Sequence, residues 1–473
     1  MNIIGRKSEC EYLKKCLNSK RPEFVALYGR RRVGKTYLIK EYFNNKFAFY
    51  ATGVTGVSTR EQLKLFNVTL MEYGSLEKTI PEDWYEAFRR LRYILESDSV
   101  YADPVSGKKV VFLDELPWMD NARSNFKSAL DYFWNSWGSS QEDLLLIVCG
   151  SATTWILENL LGSTGGFYNR ITGQIHLCAF TLSECEALLK SNNINWPREQ
   201  IVETYMVFGG IPYYYNLFDS RLSLAQNIDE LLFKENGNLY YEYERLFGSL
   251  FKHPERHFEI IRTIAHKRMG VTRTELAANK KIGDGEPLTK ALKELEQSGF
   301  IRKYRNYTKE KSGFFYQVID PFVLFCLEHI EVRRLGSWMG YLGTPGYYSW
   351  CGNAFETVCL NHITEIKKAL GISGVETMEY AFRSAKSKPG AQIDLLIDRK
   401  DSLINLCEIK FTRTPFEIDA DYEKNLLNKA DVFSKETGTG KALHITLITA
   451  NGLKTNDHSH VVQNVLTAED LFE

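Results

Sequence analysis

With 473 residues, 59 Lys plus Arg against 59 Asp plus Glu and 44% hydrophobic residues, the chain has the make-up of an ordinary globular protein of about three domains, which excludes disorder and collagen. A formal charge of zero gives no gross pointer to a partner, so charge has to be read locally. No run approaches the roughly 18 apolar residues of a membrane span, and the opening MNIIGRKSECEYLKK lacks the apolar stretch of a secretion signal, so the expectation is a cytoplasmic protein with no membrane contact. Nine cysteines, odd in number and without a CxxC pair, argue for reduced thiols rather than a disulfide framework or a zinc site.

In chain order, the apolar run Phe24 to Tyr28 leads into GRRRVGKT and a helical stretch from Tyr37 to Phe43, which predicts strand, tight loop and helix. Val110 to Leu113 and Leu144 to Cys149 are further apolar runs that end in acidic or small residues, as the carboxyl ends of buried parallel strands do. Beyond Phe180 the pattern turns helical, through GGIPYYYN at 209–216 to about Leu250, and predicts a helical lid. From His257 to Phe322 come three amphipathic helices and then FIRKYRNYTKEKSGFFYQVID, two alternating stretches split by a polar turn, the pattern of a winged helix. Leu335 to Gly352, rich in Gly, Trp and Tyr, reads as a structured connector, and an α/β pattern restarts at Asn353. The expected domains are therefore 1–180, 181–251, 252–334, 335–352 and 353–473.

Gly29, Arg30, Arg31, Arg32, Val33, Gly34, Lys35 and Thr36 satisfy GxxxxGK[ST] between a strand and a helix, the setting in which backbone amides and a helix N-terminus cradle phosphates. Lys35 reaches the β and γ phosphates of ATP and the Thr36 hydroxyl ligates Mg²⁺. The three arginines are expected to face solvent or a partner. In VVFLDELPW at 110–118, Asp114 and Glu115 fall where a buried strand emerges: Asp114 to hold Mg²⁺, Glu115 to orient or deprotonate the attacking water. Ser151, after LLLIVCG, sits at the next strand end to sense the γ phosphate, and Arg170 in FYNRITGQIHL is the candidate to supply charge to the transition state.

These residues resemble the AAA+ class of P-loop ATPases, specifically the prokaryotic archaeal-type ATPases, in which GRRRVGKT, FLDELPW, CGSATTW and GGIPYYYN occur in this order. The resemblance covers roughly the first 250 residues. It implies a RecA-like core with a helical lid, and supports Lys35, Thr36, Asp114, Glu115 and Ser151 in the roles argued above.

Residues 252–334 carry 17 Lys plus Arg against 11 Asp plus Glu, whereas 351–473 carry 14 against 18. The basic surplus sits on the winged-helix pattern. Pro287 to Ser298 is the expected recognition helix, with Lys290 and Lys293 one turn apart, and Arg302, Lys303 and Arg305 lie on the wing, placed for DNA phosphates.

QIDLLID at 392–398 and LINLCEIKF at 403–411, around the turn RKDS, predict a β-hairpin. A turn centred near Asp401 sets Asp394 opposite Glu408, and the strand period of two puts Lys410 on the face of Glu408. Two carboxylates and a lysine can bind Mg²⁺ through Asp394 and Glu408, with Lys410 positioning water or stabilising phosphorane charge. The helix NAFETVCLNHIT, Asn353 to Thr364, adds Glu356 as a further ligand. This constellation resembles the PD-(D/E)XK restriction-endonuclease-like fold, with Tyr422 and Lys424 on the following helix; Ile393 stands where that fold commonly has proline.

Three functions stay open on these residues. The one they lean towards is an ATP-gated, Mg²⁺-dependent DNA nuclease, since a nuclease needs Asp394, Glu408 and Lys410 to converge and a scaffold does not. Another is a nucleotide-dependent switch whose C-terminal domain is a non-cutting scaffold. The third is an ATPase with a protein partner, with self-association as a further possibility.

Overall fold

The computed structural model describes residues 3–121, 124–151, 153–162, 170–251, 254–267, 270–307, 314–333, 335–384 and 390–473. The polar turn expected in FIRKYRNYTKEKSGFFYQVID, at 308–313, and Ala152 of CGSATTW lie outside them. The chain forms two compact units, Met1–Cys178 and Ala179–Glu473.

The first unit begins with α1 (Lys7–Leu17) and then alternates β1 (Glu23–Tyr28), α2 (Lys35–Tyr42), β2 (Phe49–Thr52), α3 (Thr59–Glu72), α4 (Trp84–Leu95), β3 (Lys109–Asp114), α5 (Phe126–Ser136), β4 (Leu144–Gly150), α6 (Thr153–Asn159) and β5 (Gly173–His176). All five strands are parallel, in the order β2-β3-β4-β1-β5. The strands read as continuous apolar runs because both faces are covered: every residue of β4 and all but one of β1 and β3 is buried. Alternate residues of the sheet (Phe24, Ala26, Val111, Leu113, Leu146, Val148) join α3, α4 and α5 in one aromatic-rich core, where Trp84 meets Phe126 edge-on at 4.8 Å between centroids. Since β4 runs between β1 and β3, the loop after β1, the acid end of β3 and Gly150 all emerge at the same edge of the sheet.

The second unit opens with helices, as its sequence predicts: α7 (Leu182–Ser191), α8 (Arg198–Phe208), α9 (Pro212–Tyr215), α10 (Leu224–Ile228) and α11 (Glu242–Leu250). There follow α12 (Pro254–Ala265), β6 (Val271–Thr272), α13 (Arg273–Ala277), α14 (Glu286–Gln297), β7 (Ile301–Tyr304) and β8 (Phe315–Val318), three helices with an antiparallel sheet in the order β6-β8-β7. After α15 (Pro321–Phe325), α16 (Pro345–Asn361) and α17 (Ile363–Ala369) come β9 (Thr377–Arg383), β10 (Gln392–Arg399), β11 (Leu403–Lys410), α18 (Ala420–Thr437), β12 (Ala442–Thr449) and β13 (Asn464–Thr467). These five strands form a mixed sheet in the order β13-β12-β11-β10-β9, with β9, β10 and β11 antiparallel and α18 crossing between the parallel pair β11 and β12.

The hairpin β10–β11 has the expected register: Leu395 pairs with Cys407 and Asp398 with Ile404, which carries Asp394 across from Glu408. Two features depart from expectation. The helix bearing Glu356 starts at Pro345 rather than Asn353, because Thr344 Oγ1 accepts the Tyr347 N–H at 3.2 Å and proline fits the first turn. The chain beyond β7 also docks on β9, through a bridge between Asn306 and Ala381 and a 3.1 Å bond from Tyr307 N–H to the Ala381 carbonyl. No helix among the described residues is long and apolar enough to cross a membrane.

Candidate functional site

The phosphate-loop sequence leaves β1 at Gly29, where φ is 147° and an added Cβ would sit 2.2 Å from the Leu177 carbonyl oxygen. Gly34, at φ 94°, turns the loop into α2. At both positions a side chain is excluded by backbone geometry, which leaves the loop free to approach a ligand closely. Lys35 is 4% exposed, and its Nζ donates to the carbonyls of Gly29 and Arg30, each at 2.9 Å. Burial lowers its pKa, against the pull of Cys149, Glu115 and Asp114. Of the neighbouring arginines only Arg31 is exposed; Arg30 and Arg32 are half-buried, since the loop folds back and Arg32 takes a left-handed conformation at φ 70°.

Thr36 Oγ1 donates to Asp114 Oδ2 at 2.8 Å, joining the start of α2 to the end of β3. Burial raises the Asp114 pKa, opposed by this hydroxyl. An adjacent hydroxyl and buried carboxylate at a strand end are the hard oxygen donors that Mg²⁺ on a nucleotide takes, so the residues fit that cofactor. Glu115 adopts φ 46°, a strained conformation for a non-glycine residue that costs on the order of 1–3 kcal/mol. Its surroundings enforce it: Ser151 Oγ donates to Oε1 at 2.7 Å and Ser151 N–H to Oε2 at 3.2 Å, while a Cβ on Gly53 would lie 2.5 Å from the Glu115 carbonyl oxygen. Lys35, Thr36, Asp114, Glu115 and Ser151 therefore form one contiguous group at the carboxyl edge of the sheet.

Arg170 is not part of it. Its guanidinium is ion-paired with Asp131 on α5, both side chains about a third exposed. Sequence reasoning missed Arg6, which is 6% exposed and donates to the Val33 carbonyl at 3.0 Å, bracing the loop from outside. It lies well upstream of the loop with no spacing pattern linking the two.

Residues 3–218 match the family model of an ATPase domain found predominantly in Archaea. The chain carries an archaeal-type ATPase domain. It is 26% identical over 381 residues to an uncharacterized protein of Methanocaldococcus jannaschii, covering 77% of this chain and 78% of the relative. An uncharacterized ATP-binding protein of the same organism is 49% identical over 44 residues, 9% of this chain and 75% of that protein. Among solved structures, the Walker-type ATPase of Pyrococcus abyssi matches with a TM-score of 0.49 and 19% identity over 69% of this chain and 97% of that one.

In the second unit Glu408, 6% exposed, lies on β11 among donors. Lys410 Nζ stands 2.9 Å and Tyr422 OH 2.8 Å from Oε1, and Lys429 Nζ 2.6 Å from Oε2. Burial pushes the carboxyl upward, but Lys429 and Lys410 outweigh it and the pKa is lowered. Lys429 follows Tyr422 by seven residues on α18, two turns along the same face, so i, i+7 spacing was the signal for it. Asp394 accepts from Gln392 Nε2 at 2.9 Å. Lys424 instead points to exposed Asp421. Among the described residues no three His, Cys, Asp or Glu side chains gather as a metal-holding group, so Glu356, Asp394 and Glu408 share a region without converging on a point.

Arg302, expected on the wing for DNA, turns inward: its Nε donates to Gln317 Oε1 at 2.7 Å, and its guanidinium lies in the field of Glu356 and Asp394. The alternation of β7 explains this, since Lys303 and Arg305 occupy the opposite, exposed face, at 3.8 Å and 4.8 Å from the Phe314 ring centroid. Lys290 and Lys293 are exposed on α14.

Proposed function

We propose that this protein is an ATP-hydrolysing switch that reports its nucleotide state to a DNA-contacting second unit. The observation that carries the nucleotide half is the pair of contacts Thr36–Asp114 and Glu115–Ser151, which join the start of α2 and the ends of β3 and β4 into one site. In this reading Lys35 and the loop from Gly29 hold the phosphates of ATP and Thr36 and Asp114 hold Mg²⁺. The cation supplies charge to the leaving phosphates, Glu115 orients the attacking water, and Ser151 couples Glu115 to β4. The segment 252–334 acts as a winged helix, with Lys290 and Lys293 of α14 and the exposed Lys303 and Arg305 meeting DNA phosphates. The C-terminal domain, of restriction-endonuclease-like type, serves as a binding scaffold, because its own Lys410 and Lys429 already compensate Glu408, and Arg302 of the preceding segment lies in the field of Asp394 and Glu356. Arg170 can contribute transition-state charge only after leaving Asp131.

One observation favours a second reading, Mg²⁺-dependent cleavage: the register that sets Asp394 opposite Glu408 and beside Lys410. In that reading Asp394 and Glu408 take the metal after Lys429 is displaced. Supercoiled plasmid incubated with Mg²⁺ or Mn²⁺, with and without ATP, separates the two. The scaffold reading predicts intact plasmid, and cutting that disappears in Asp394→Ala establishes the nuclease. Duplex DNA binding that falls steeply with salt and weakens in the Lys290→Ala, Lys293→Ala variant supports DNA as the partner. Salt-independent or absent binding favours a protein partner.

A further inference from the structure

Between the sheet of β6–β8 and the strands β9–β10 runs a cleft of about 540 Å³ that none of the roles above uses. Its lining pairs two cations, Lys267 and Arg383, with two aromatic rings, Tyr304 and Phe315, and two amides, Asn306 and Gln392, beside one acid, Glu275. Arg383 is exposed and has no ion-pair partner among the described residues, whereas Lys267 is shared with Glu275 at 2.6 Å. Tyr304 and Phe315 are stacked, with ring centroids 5.8 Å apart at 24°, and Phe315 is the less buried of the two. Asn306 is held by its backbone bridge to Ala381, and its Oδ1 is buried without a hydrogen-bond donor among the described residues. An orphaned buried acceptor is costly, and a ligand N–H would satisfy it. Gln392 is the cross-strand neighbour of Arg383, and its amide donates to Asp394 at 2.9 Å.

A free cation, an aromatic face and an unsatisfied amide oxygen are the groups that recognise one nucleotide with its base edge exposed: phosphate to the cation, ring to the aromatic, base N–H to the amide. A paired duplex hides that base edge from such a cleft. We propose that this cleft binds a nucleotide unit of single-stranded DNA, with phosphate on Arg383 and Lys267, the base stacked on Phe315 and its N–H donated to Asn306 Oδ1. The strand then lies next to Asp394. This rests on the nucleic-acid reading of the second unit and adds a strand-specific site distinct from the exposed lysines of α14.

The test is fluorescence anisotropy of the full chain with a short labelled single-stranded oligodeoxycytidine, competed with unlabelled duplex and with free dCMP, for the native protein, Arg383→Ala and Asn306→Ala. Arg383→Ala removes an exposed side chain and leaves the fold intact, which an unchanged melting temperature verifies. The expected result is tighter binding of single strand than duplex, weakened about tenfold by Arg383→Ala and several-fold by Asn306→Ala. Strong competition by dCMP would assign the same cleft to free nucleotides and overturn the strand proposal. Single-strand binding unchanged in both variants would refute the cleft outright. If in that case Lys290→Ala, Lys293→Ala still lost duplex binding, the failure would belong to the cleft alone; loss of all DNA binding in the native protein would instead remove the reading on which it rests.

Discussion

Acid should unfold the second unit through two buried histidines, and the effect can be worked from their surroundings. His362 is 0% exposed; its Nδ1–H donates to the Val358 carbonyl at 2.8 Å and its Nε2 accepts the Leu182 N–H at 3.0 Å, an arrangement only the neutral ring can make. Burial lowers its pKa from 6.5 to about 4. His329, also 0% exposed, lies among Phe325, Trp338, Tyr341 and Trp350 with no hydrogen-bond partner for either nitrogen among the described residues. Burial, and then Arg333, lower its pKa to about 3. Because both folded pKa values are depressed, the unfolded chain binds protons first as pH falls. Stability is fully present above pH 6.5 and is lost as pH falls from there, down to about pH 4 for the His362 share and about pH 3 for the His329 share, so most of the loss falls between pH 6.5 and 4. Each histidine contributes about 3 kcal/mol over that window, together close to the whole margin of a typical domain. Urea denaturation at a series of pH values, comparing the native chain with a His329→Leu, His362→Gln variant, reads the slope. The variant should be markedly flatter between pH 6.5 and 4, whatever its stability at neutral pH. Equal slopes would refute the argument and move the acid sensitivity elsewhere.

Lys429→Ala leaves Glu408 buried with Lys410 as its remaining cation, and should cost about 1–3 kcal/mol in urea titration, with Lys429→Arg recovering much of it. Gly53→Ala would put a Cβ 2.5 Å from the Glu115 carbonyl oxygen, so ATP turnover should fall by about tenfold or more while ATP affinity is kept; unaltered turnover would show that Glu115 need not hold its strained conformation. Asp131→Asn releases Arg170 from its ion pair, and steady-state hydrolysis should rise if that arginine is recruited to the phosphates, whereas an unchanged rate would confine Arg170 to a structural role.

The ATPase core was legible because its strands are buried on both faces and end in functional residues, so apolar runs, GRRRVGKT and FLDELPW located the sheet and its active edge together. The register of β10 and β11 was legible too, since a short polar turn and a period of two determine which residues face each other. What stayed hidden depended on contacts between distant segments. Nothing in the local pattern says that Ser151 reaches back to Glu115, that Arg6 braces Val33, or that the chain after β7 pairs with β9. Arg302 was assigned to DNA because it lies in a basic run, yet strand alternation sends it to the face opposite Lys303 and Arg305, where carboxylates await it. Lys429 was within reach of helical spacing from Tyr422 but meaningful only once α18 was laid across β11.

The central claim is that the first unit binds ATP through the loop before α2 and hydrolyses it with Glu115. Its most direct test is to measure ATP binding and phosphate release separately in the native protein, Lys35→Ala and Glu115→Gln. The account predicts that Lys35→Ala loses binding and turnover together, while Glu115→Gln still binds ATP with Mg²⁺ but releases phosphate at least about a hundredfold more slowly. Full turnover in Glu115→Gln, or undiminished binding in Lys35→Ala, would contradict it.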